Sequence, residues 1–352
     1  MPESQTLEEL VMSRLKDVVE PDLKRDIVTL NMVRGVTVRD HRARLTLVLS
    51  TPLWPEKGDF LRAAAHDAVL SVEGIAEAEI GLEVDIARTV PDGQMGLHMR
   101  NIVAVSSGKG GVGKSTVAVN LAVALAQAGV RVGLLDADIT GPNIPILIGL
   151  YGQPPFTGEK LIPLEAYGVK VMSMGFLIDP DKPVIWRGPM IHHAIRQLLS
   201  DVEWGELDYM IVDLPPGTGD AQLTLAQSVP LTGALIVTQP QQVALGDALR
   251  GITMFEQVNV AILGIVENMS GELFGTGGGR RLAEQRGLPY LGSVPLDPEV
   301  RIGGDAGQPI VAVKPDSPAA QAFIRLAREI TAHIGLMALE QGSSAVPLIT
   351  LE

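Results

Sequence analysis

The sequence predicts an α/β protein in which a doubly wound parallel sheet follows a small α+β domain. From residue 101 onward, short continuous apolar runs alternate with helical segments of ten or more residues, a pattern typical of parallel strands covered by helices on both faces. The first 88 residues differ, because their predicted strands alternate polar and apolar side chains. With 352 residues, 46% of them hydrophobic, the chain is long enough for two domains that each bury a core.

The small domain is predicted to span residues 1–88 with the order αββαβ. Its first helix follows from Thr6 and Glu9, which have the spacing of a capping box, and from apolar residues that recur at helical intervals as far as Leu15. The later elements are predicted as strands at residues 27–33 and 44–49, a helix at residues 56–71 and a strand at residues 76–86.

The larger domain is predicted to span residues 101–335, after a linker at residues 89–100 that contains the turn-forming sequence Pro-Asp-Gly. A helix at residues 319–333 closes this domain, because its apolar side chains form one stripe, and residues 336–352 are predicted to be a tail. Its strands are predicted at residues 102–105, 130–135, 169–172, 209–212, 234–237 and 261–266.

The most specific motif is GKGGVGKST at residues 108–116, which fits the pattern G-x-x-x-x-G-K-[ST]. It lies between a predicted strand and a helix predicted at residues 117–128, where glycine-rich backbone can wrap around phosphates at a helix N-terminus. Lys114 is predicted to contact the β- and γ-phosphates of ATP or the phosphates of ADP, and Ser115 to bind Mg²⁺. The predicted nucleotide-binding residues of this loop are Gly108, Lys109, Gly110, Gly111, Val112, Gly113, Lys114, Ser115 and Thr116.

Acidic residues follow two of the buried strands, and an open α/β sheet binds its ligands at the carboxyl ends of its strands. Asp213 ends one of these strands and is predicted to hold Mg²⁺. Gly217 offers a backbone N–H that could sense the γ-phosphate, and Asp138 is predicted to orient the attacking water. Helix N-capping explains Asp136 and Asp220 equally well, and it stays an alternative for Asp138.

Two weaker patterns predict no function. Residues 277–279 are three glycines followed by two arginines, which suggests either a second anion site or a flexible turn, and we favour the turn. His192 and His193 are adjacent, so on a helix their side chains diverge and cannot chelate one metal ion together.

Composition disfavours several classes of function. A net charge of −13 and an aromatic content of 4% predict that the chain binds neither nucleic acid nor an anionic membrane surface. The chain has 0 cysteines, which excludes disulfides and metal sites built from its own thiolates. The amino terminus lacks the pattern of a signal peptide, and no apolar run is long enough to span a bilayer, so we expect a cytoplasmic protein.

Taken together, the motifs resemble the Mrp/ApbC family of deviant P-loop ATPases, which are relatives of MinD, ParA and the nitrogenase iron protein. The resemblance covers about residues 7–335, and its amino-terminal part is similar to the small domain often fused ahead of this ATPase. The segments that carry it are GKGGVGKST at 108–116, LLDADITGPN at 134–143, WRGPM at 186–190, VDLPPGTGD at 212–220, GIVENMS at 264–270 and LGSVPLDPEVRIGGDAGQPIV at 291–311.

The resemblance implies an ATP-hydrolysing homodimer that binds iron–sulfur clusters and transfers them to apoproteins. It implies that Lys109 crosses the dimer interface to the partner's nucleotide and acts in catalysis with Lys114 and Asp138. Carried over by motif, the adenine pocket would be formed by Asn268, Pro295 and Asp297.

The chain departs from this family at the positions expected to hold the cluster. Family members carry C-x-x-C directly after E-N-M-S, whereas here Ser270 is followed by GELFG. The small domain's usual T-P-x-C-P reads TPLWP at residues 51–55, with Trp54 in place of cysteine. We therefore expect no stably bound cluster, and two functions remain open. One is an ATPase of iron–sulfur assembly that uses external thiols; the alternative is a MinD- or ParA-like dimer switch that acts on protein partners.

Overall fold

The computed structural model describes residues 6–21, 24–53, 55–94, 97–139, 141–178 and 188–343. The chain divides into two compact units. One runs from the amino terminus to Ala87 and includes the carboxyl-terminal residues from Thr331, and the other runs from Arg88 to Ile330. The domain boundaries predicted from the sequence stay predictions.

The first unit packs one face of a small sheet against two helices. Strand β4 pairs antiparallel with β3 and parallel with β5, and the buried core includes Val11, Leu15, Leu45 and Leu61. Its elements are α1 (Leu7–Leu15), β1 (Val19–Glu20), β2 (Arg25–Asp26), β3 (Val33–Arg39), β4 (Arg42–Leu49), α2 (Pro55–Leu70) and β5 (Glu77–Val84). The capping box at the start of α1 is present: Thr6 Oγ1 accepts the Glu9 N–H, and Glu9 Oε2 accepts the Thr6 N–H.

The predicted strand at residues 27–33 is wrong, because only Val33 belongs to a strand. The preceding residues form a turn in which the N–H of Thr29 donates to Asp26 Oδ1 at 2.7 Å, and Asn31 has a φ of 56°. An aspartate side chain that bonds nearby backbone competes with strand pairing. Ile27 is still fully buried, so this apolar residue belongs to the core although it does not lie in a strand.

The second unit is a parallel sheet with helices on both faces, and the predicted fold class is confirmed. Its strands are β6 (Met99–Ser106), β7 (Val132–Asp136), β8 (Leu164–Ala166), β9 (Val169–Ser173), β10 (Leu207–Asp213), β11 (Gly233–Thr238), β12 (Ile262–Ser270) and β13 (Tyr290–Pro295). Among the described residues these strands form one sheet in the order β13-β12-β11-β6-β10-β7-β9-β8. Only the β8–β9 pair is antiparallel in this described sheet.

Six of the described helices lie between successive strands of this sheet and three follow β13, the last of which continues past Ile330 into the first unit. They are α3 (Lys114–Gln127), α4 (Ile144–Ile148), α5 (Gly188–Ser200), α6 (Asp220–Ser228), α7 (Gln242–Gln257), α8 (Gly278–Arg286), α9 (Pro298–Asp305), α10 (Ile310–Val313) and α11 (Pro318–Ser343). Each strand predicted in this unit is present. Sequence analysis missed β8, which has only 3 residues, and β13, whose apolar run is interrupted by Gly292 and Ser293.

Helix α11 extends beyond the predicted end at residue 333, so residues 336–343 of the predicted tail are helical. Gly335 does not end the helix: a Cβ at this position would lie 2.4 Å from Ser50 Oγ, so the glycine permits close packing. The rest of the predicted tail lies outside the described residues. No helix in the described part of the chain is long and apolar enough to cross a membrane.

Candidate nucleotide-binding site

The glycine-rich loop lies between β6 and α3, at the carboxyl edge of the sheet. Two of its glycines are required by close packing. A Cβ on Gly108 would lie 2.0 Å from the backbone of Asp247 in α7, and a Cβ on Gly113 would lie 2.3 Å from Asn268 Nδ2. Gly113 also has a φ of 79°, which side-chain-bearing residues rarely adopt. The loop is therefore held in shape by α7 on one side and by the end of β12 on the other.

A buried cation and a buried carboxylate meet beneath this loop. Lys114 Nζ donates to Asp213 Oδ1 at 2.5 Å and to Ser115 Oγ at 3.4 Å. Lys114 is 6% exposed and Asp213 is fully buried. Burial raises the pKa of Asp213, although the charge of Lys114 and the hydroxyl of Ser115 act against that rise.

The donor set fits Mg²⁺, which prefers oxygen ligands. Asp213 Oδ2 is buried and has no hydrogen-bond partner within the described ranges, so one carboxylate oxygen remains available. The Ser115 hydroxyl lies beside the same pair. The predicted metal ligands, one from a helix start and one from a strand end, are thus brought together.

Asp136 lies next to Asp213, because the two residues are register partners on the adjacent strands β7 and β10. Burial, followed by the charge of Asp213, raises the pKa of Asp136 to about 8. Its Oδ2 accepts the N–H of Ile144, the first residue of α4, at 3.2 Å. Asn143 occupies the N-cap position of α4, so Asp136 accepts an N–H of the helix start without being the N-cap residue.

Of the two remaining acidic residues, side-chain contacts are described only for Asp138. Asp138 Oδ1 accepts the N–H of Gly141 at 3.3 Å, so it holds a turn ahead of α4. Asp220 is the first residue of α6, where Gly219 occupies the N-cap position, and the side chain of Asp220 lies outside the described residues.

Most of the predicted phosphate-binding residues line one cavity of about 430 Å³, but Gly108 and Val112 are not among its lining residues. Lys114, Ser115 and Asp138 face it together with Lys109, which has no carboxylate within 4.0 Å in the described parts of the chain. The N–H of Gly217 donates to Ser107 O at 3.1 Å, so this group is engaged here by the residue before the loop.

A second cavity of about 210 Å³ adjoins the first, since Thr116 and Leu147 line both. It contains Asn268, Pro295 and Asp297, the residues that the resemblance assigns to an adenine pocket. The side chain of Asn268 is not free to rotate, because its Nδ2 donates to Val112 O at 2.8 Å. Asp297 Oδ1 accepts the N–H of Glu299 and caps α9.

Glu267 is a residue that sequence analysis missed. It is fully buried, and its carboxylate accepts the N–H of Gly277 at 2.8 Å and of Gly279 at 2.7 Å. The three glycines predicted as a flexible turn therefore include the start of α8, and that prediction was wrong. A helix N-terminus favours negative charge, and here an internal carboxylate supplies it. Its two backbone donors lie 10 and 12 positions further along the chain, so no local pattern in the sequence indicated this role.

Several residues of the predicted motifs lie outside the described residues, namely Trp54, Thr140, Trp186 and Arg187. His193 is exposed on α5. Over the described ranges no group of three or more His, Cys, Asp or Glu side chains is arranged to hold a metal ion.

Similarity to known families agrees with this geometry. Residues 98–331, which include the whole site, match the family model of NUBPL iron-transfer P-loop NTPases, and residues 8–81 match the model of the iron-sulfur cluster assembly protein family. The chain belongs to the NUBPL iron-transfer P-loop NTPase family. The resemblance predicted from the motifs is thereby confirmed, and the chain is a P-loop NTPase.

Relatives within this family match over nearly the full length. The iron-sulfur cluster carrier protein of Synechocystis is 50% identical over 347 residues, covering 94% of this chain and 98% of that protein. The carrier protein of Deinococcus radiodurans is 43% identical, covering 97% of this chain and 100% of that protein.

Among solved structures, the nucleotide-binding protein of Archaeoglobus fulgidus in complex with ADP is 42% identical with a TM-score of 0.54, and the match covers 60% of this chain and 88% of that chain. The cell division ATPase MinD of Pyrococcus furiosus is 28% identical with a TM-score of 0.53, and covers 65% and 98%.

Proposed function

We propose that this P-loop NTPase is a Mg²⁺-dependent ATPase that acts as a cytoplasmic homodimer in the transfer of iron–sulfur clusters to apoproteins. The observation that carries the proposal is that Lys114, Ser115 and Asp138 line one cavity beneath the glycine-rich loop, where the ammonium group of Lys114 is paired with the buried Asp213. The names of the full-length relatives supply the biological context.

Lys114 binds the β- and γ-phosphates. In the structure its ammonium group pairs with Asp213, so nucleotide binding must exchange one anionic partner for another. Both groups are buried, where an unpaired charge is costly, so the lysine turns to phosphate while another cation replaces it at Asp213. Mg²⁺ would be held by Ser115 Oγ and Asp213 Oδ2, where it neutralises charge on the phosphate oxygens.

Asp138 orients the attacking water. It lies on the wall of the phosphate cavity and is 7% exposed, so a water beside it would be shielded from bulk solvent. The Gly217 N–H completes the phosphate contacts once it leaves Ser107 O, which makes the loop at Gly217 sensitive to the γ-phosphate.

Adenine occupies the adjoining cavity lined by Asn268, Pro295 and Asp297. Because one N–H of the Asn268 amide is fixed on Val112 O, the amide keeps a constant orientation toward the cavity. The loop that binds phosphate and the residue that reads the base are therefore mechanically connected.

Lys109 supports the proposal of a homodimer. It stands on the wall of the phosphate cavity, and no ion pair for it occurs among the described residues. A second copy of the chain brings a nucleotide phosphate to this ammonium group, which explains a lysine placed early in the loop. Nucleotide binding then controls dimer formation, because the bound nucleotide contacts residues of both copies of the chain.

The iron–sulfur cluster is cargo that this chain's own residues do not fit. A cluster requires thiolate ligands, and the sequence contains 0 cysteines. We propose that a small thiol or a cysteine-bearing partner supplies the ligands while the ATPase cycle controls the encounter. Nothing observed favours the MinD- or ParA-like switch over this function, because the full-length relatives are named as cluster carriers.

A coupled assay tests the proposal. The full chain is incubated anaerobically with iron, sulfide, a small thiol and an apo-ferredoxin, with ATP and either Mg²⁺ or EDTA. We expect ATP hydrolysis only with Mg²⁺, and faster cluster arrival on the acceptor when the chain is present. Hydrolysis that is unchanged in EDTA contradicts the metal assignment, and transfer at the rate of the thiol control contradicts the cargo assignment.

A further inference from the structure

Ser173 is a buried serine that no part of the proposed function uses. It is the last residue of β9, is fully buried, and is the register partner of Asp136 at the end of β7. Its Oγ donates to Asp136 Oδ2 at 3.0 Å and accepts the N–H of Gly175 at 3.0 Å. The hydroxyl therefore links the side chain of Asp136 to the backbone of Gly175.

The Asp136 carboxylate in turn fixes the segment that carries Asp138. Its Oδ1 accepts the N–H of Asp138 at 3.2 Å, and its Oδ2 accepts the N–H of Ile144 at 3.2 Å. The two backbone donors lie on either side of the turn between β7 and α4. The side chain of Asp136 therefore forms hydrogen bonds at both ends of this turn. If this side chain changed rotamer, the hydrogen bond to the N–H of Asp138 would break and Asp138 would be displaced.

Ser173 restrains that rotation from the neighbouring strand. The two backbone donors move with the turn, whereas Ser173 belongs to β9, which is anchored in the sheet. Water has no access to replace the hydroxyl, because Ser173 and Asp136 are both fully buried. Loss of the hydroxyl would leave an unsatisfied lone pair beside the second buried carboxylate, Asp213, and would favour another Asp136 rotamer.

We propose that Ser173 is a positioning residue for ATP hydrolysis, which acts through Asp136 to hold Asp138 in place. The inference rests on the proposed role of Asp138. It predicts a defect in the chemical step alone, because neither Ser173 nor Asp136 lines the phosphate cavity or the adjoining base cavity. A displacement of about 1 Å at a catalytic group costs up to about a hundredfold in rate.

The test compares Ser173→Ala and Ser173→Thr in the full chain, with Thr232→Val as a matched control. Thr232 is also buried and its Oγ1 accepts the N–H of Ile102. It directly precedes β11, so it lies at the amino ends of the strands, whereas Ser173 lies at their carboxyl ends. Turnover, the KM for ATP, ADP affinity and thermal unfolding are measured for each variant.

We expect Ser173→Ala to lower kcat about tenfold, with the KM for ATP and the ADP affinity within about twofold of wild type. Ser173→Thr, which keeps the hydroxyl, should recover most of the rate, and Thr232→Val should lower only the unfolding temperature. Wild-type turnover in Ser173→Ala overturns the inference, as does equal loss in the alanine and threonine variants. A parallel fall of kcat, ADP affinity and stability overturns it as well, because Ser173 would then be merely structural.

Asp138→Ala separates this inference from the proposed function. If Asp138→Ala hydrolyses ATP at the wild-type rate, the role of Asp138 is wrong and the inference falls with it. If Asp138→Ala is inactive while Ser173→Ala is normal, only the role of Ser173 is wrong.

Discussion

At the scale of single residues, we expect nucleotide binding to depend on Lys114, because its buried ammonium group lies at the phosphate cavity. Lys114→Ala should lower kcat/KM for ATP by about a hundredfold or more, as expected for loss of a charged group that contacts a developing anion. The check is a steady-state ATPase assay together with calorimetric titration of ADP. Lys170→Ala is the control, since Lys170 Nζ donates to Trp204 O away from this cavity, and it should behave as wild type.

Asp138→Ala should keep nucleotide affinity but lose about two orders of magnitude in turnover, because a group that orients water contributes to the chemical step and not to binding. Single-turnover hydrolysis and ADP titration measure the two properties separately. Asp201→Ala, at an exposed aspartate bonded to Ser200, should change neither. A proportional loss of affinity would show that Asp138 holds the nucleotide and does not activate water.

Gly113 and Gly110 belong to one loop but have different surroundings. A Cβ on Gly113 would lie 2.3 Å from Asn268 Nδ2 at a φ of 79°, whereas a Cβ on Gly110 would meet nothing within 4 Å. Gly113→Ala should therefore lower the free energy of unfolding by about 1–3 kcal/mol, and Gly110→Ala by less than about 0.5 kcal/mol. Denaturant unfolding without nucleotide provides the measurement. Equal losses in the two variants would refute the packing argument.

At the scale of elements, Arg131 and Asp208 join the amino ends of the neighbouring strands β7 and β10. Burial by itself would raise the pKa of Asp208, but hydrogen bonds from Arg131 outweigh burial, and the pKa of Asp208 lies below its usual value. The stabilisation is then present above the unfolded-state pKa of about 3.9 and is lost as pH falls through the lower folded-state pKa.

Asp208→Asn should accordingly lower stability at pH 7 by about 1.5–3 kcal/mol, the range for hydrogen bonds to charged groups, and the difference from wild type should shrink below about pH 4. Thermal unfolding across this pH range measures the effect. Asp17→Asn removes an exposed partner of Arg14 and should show no such trend. A difference that stays constant down to pH 3 would contradict the assignment to ionised Asp208.

At the scale of the whole molecule, the chain should hold no stable iron–sulfur cluster by itself, because it offers 0 thiolates. Histidine replaces only part of a cluster's ligands, methionine is a weak neutral donor, and carboxylates suit harder ions. After anaerobic reconstitution without added thiol, followed by desalting, we expect iron and sulfide far below one cluster per dimer. Recovery of iron and sulfide at nearly one cluster per dimer would contradict this prediction and would show that the chain binds a cluster by itself. A reconstituted cysteine-containing cluster carrier serves as the positive control.

Assembly is the second property of the whole molecule. With a non-hydrolysable ATP analogue the chain should change from monomer to dimer in light scattering, whereas Lys109→Ala should bind the analogue and remain largely monomeric. Lys170→Ala should dimerise normally. Dimerisation of Lys109→Ala with wild-type affinity would show that this lysine has no partner across the interface.

The sequence alone determined the phosphate loop, the parallel sheet and the family. These features depend on contiguous residues: a nine-residue motif that runs from a loop into the start of a helix, and apolar runs that only a doubly covered sheet can bury. The turn at residues 27–32 escaped prediction because buried apolar residues look alike in a strand and in a turn held by a side chain.

Only the tertiary structure decided which polar groups meet. Lys114 and Asp213 are separated by 99 positions, and Ser173 and Asp136 by 37, yet each pair is in hydrogen-bond contact because parallel strands bring their carboxyl ends to one edge. The reason for Gly108 is likewise the backbone of Asp247, far along the chain. The roles of Glu267 and Ser173 could not be predicted from the sequence, since a buried polar side chain is defined by the donors and acceptors that folding places around it.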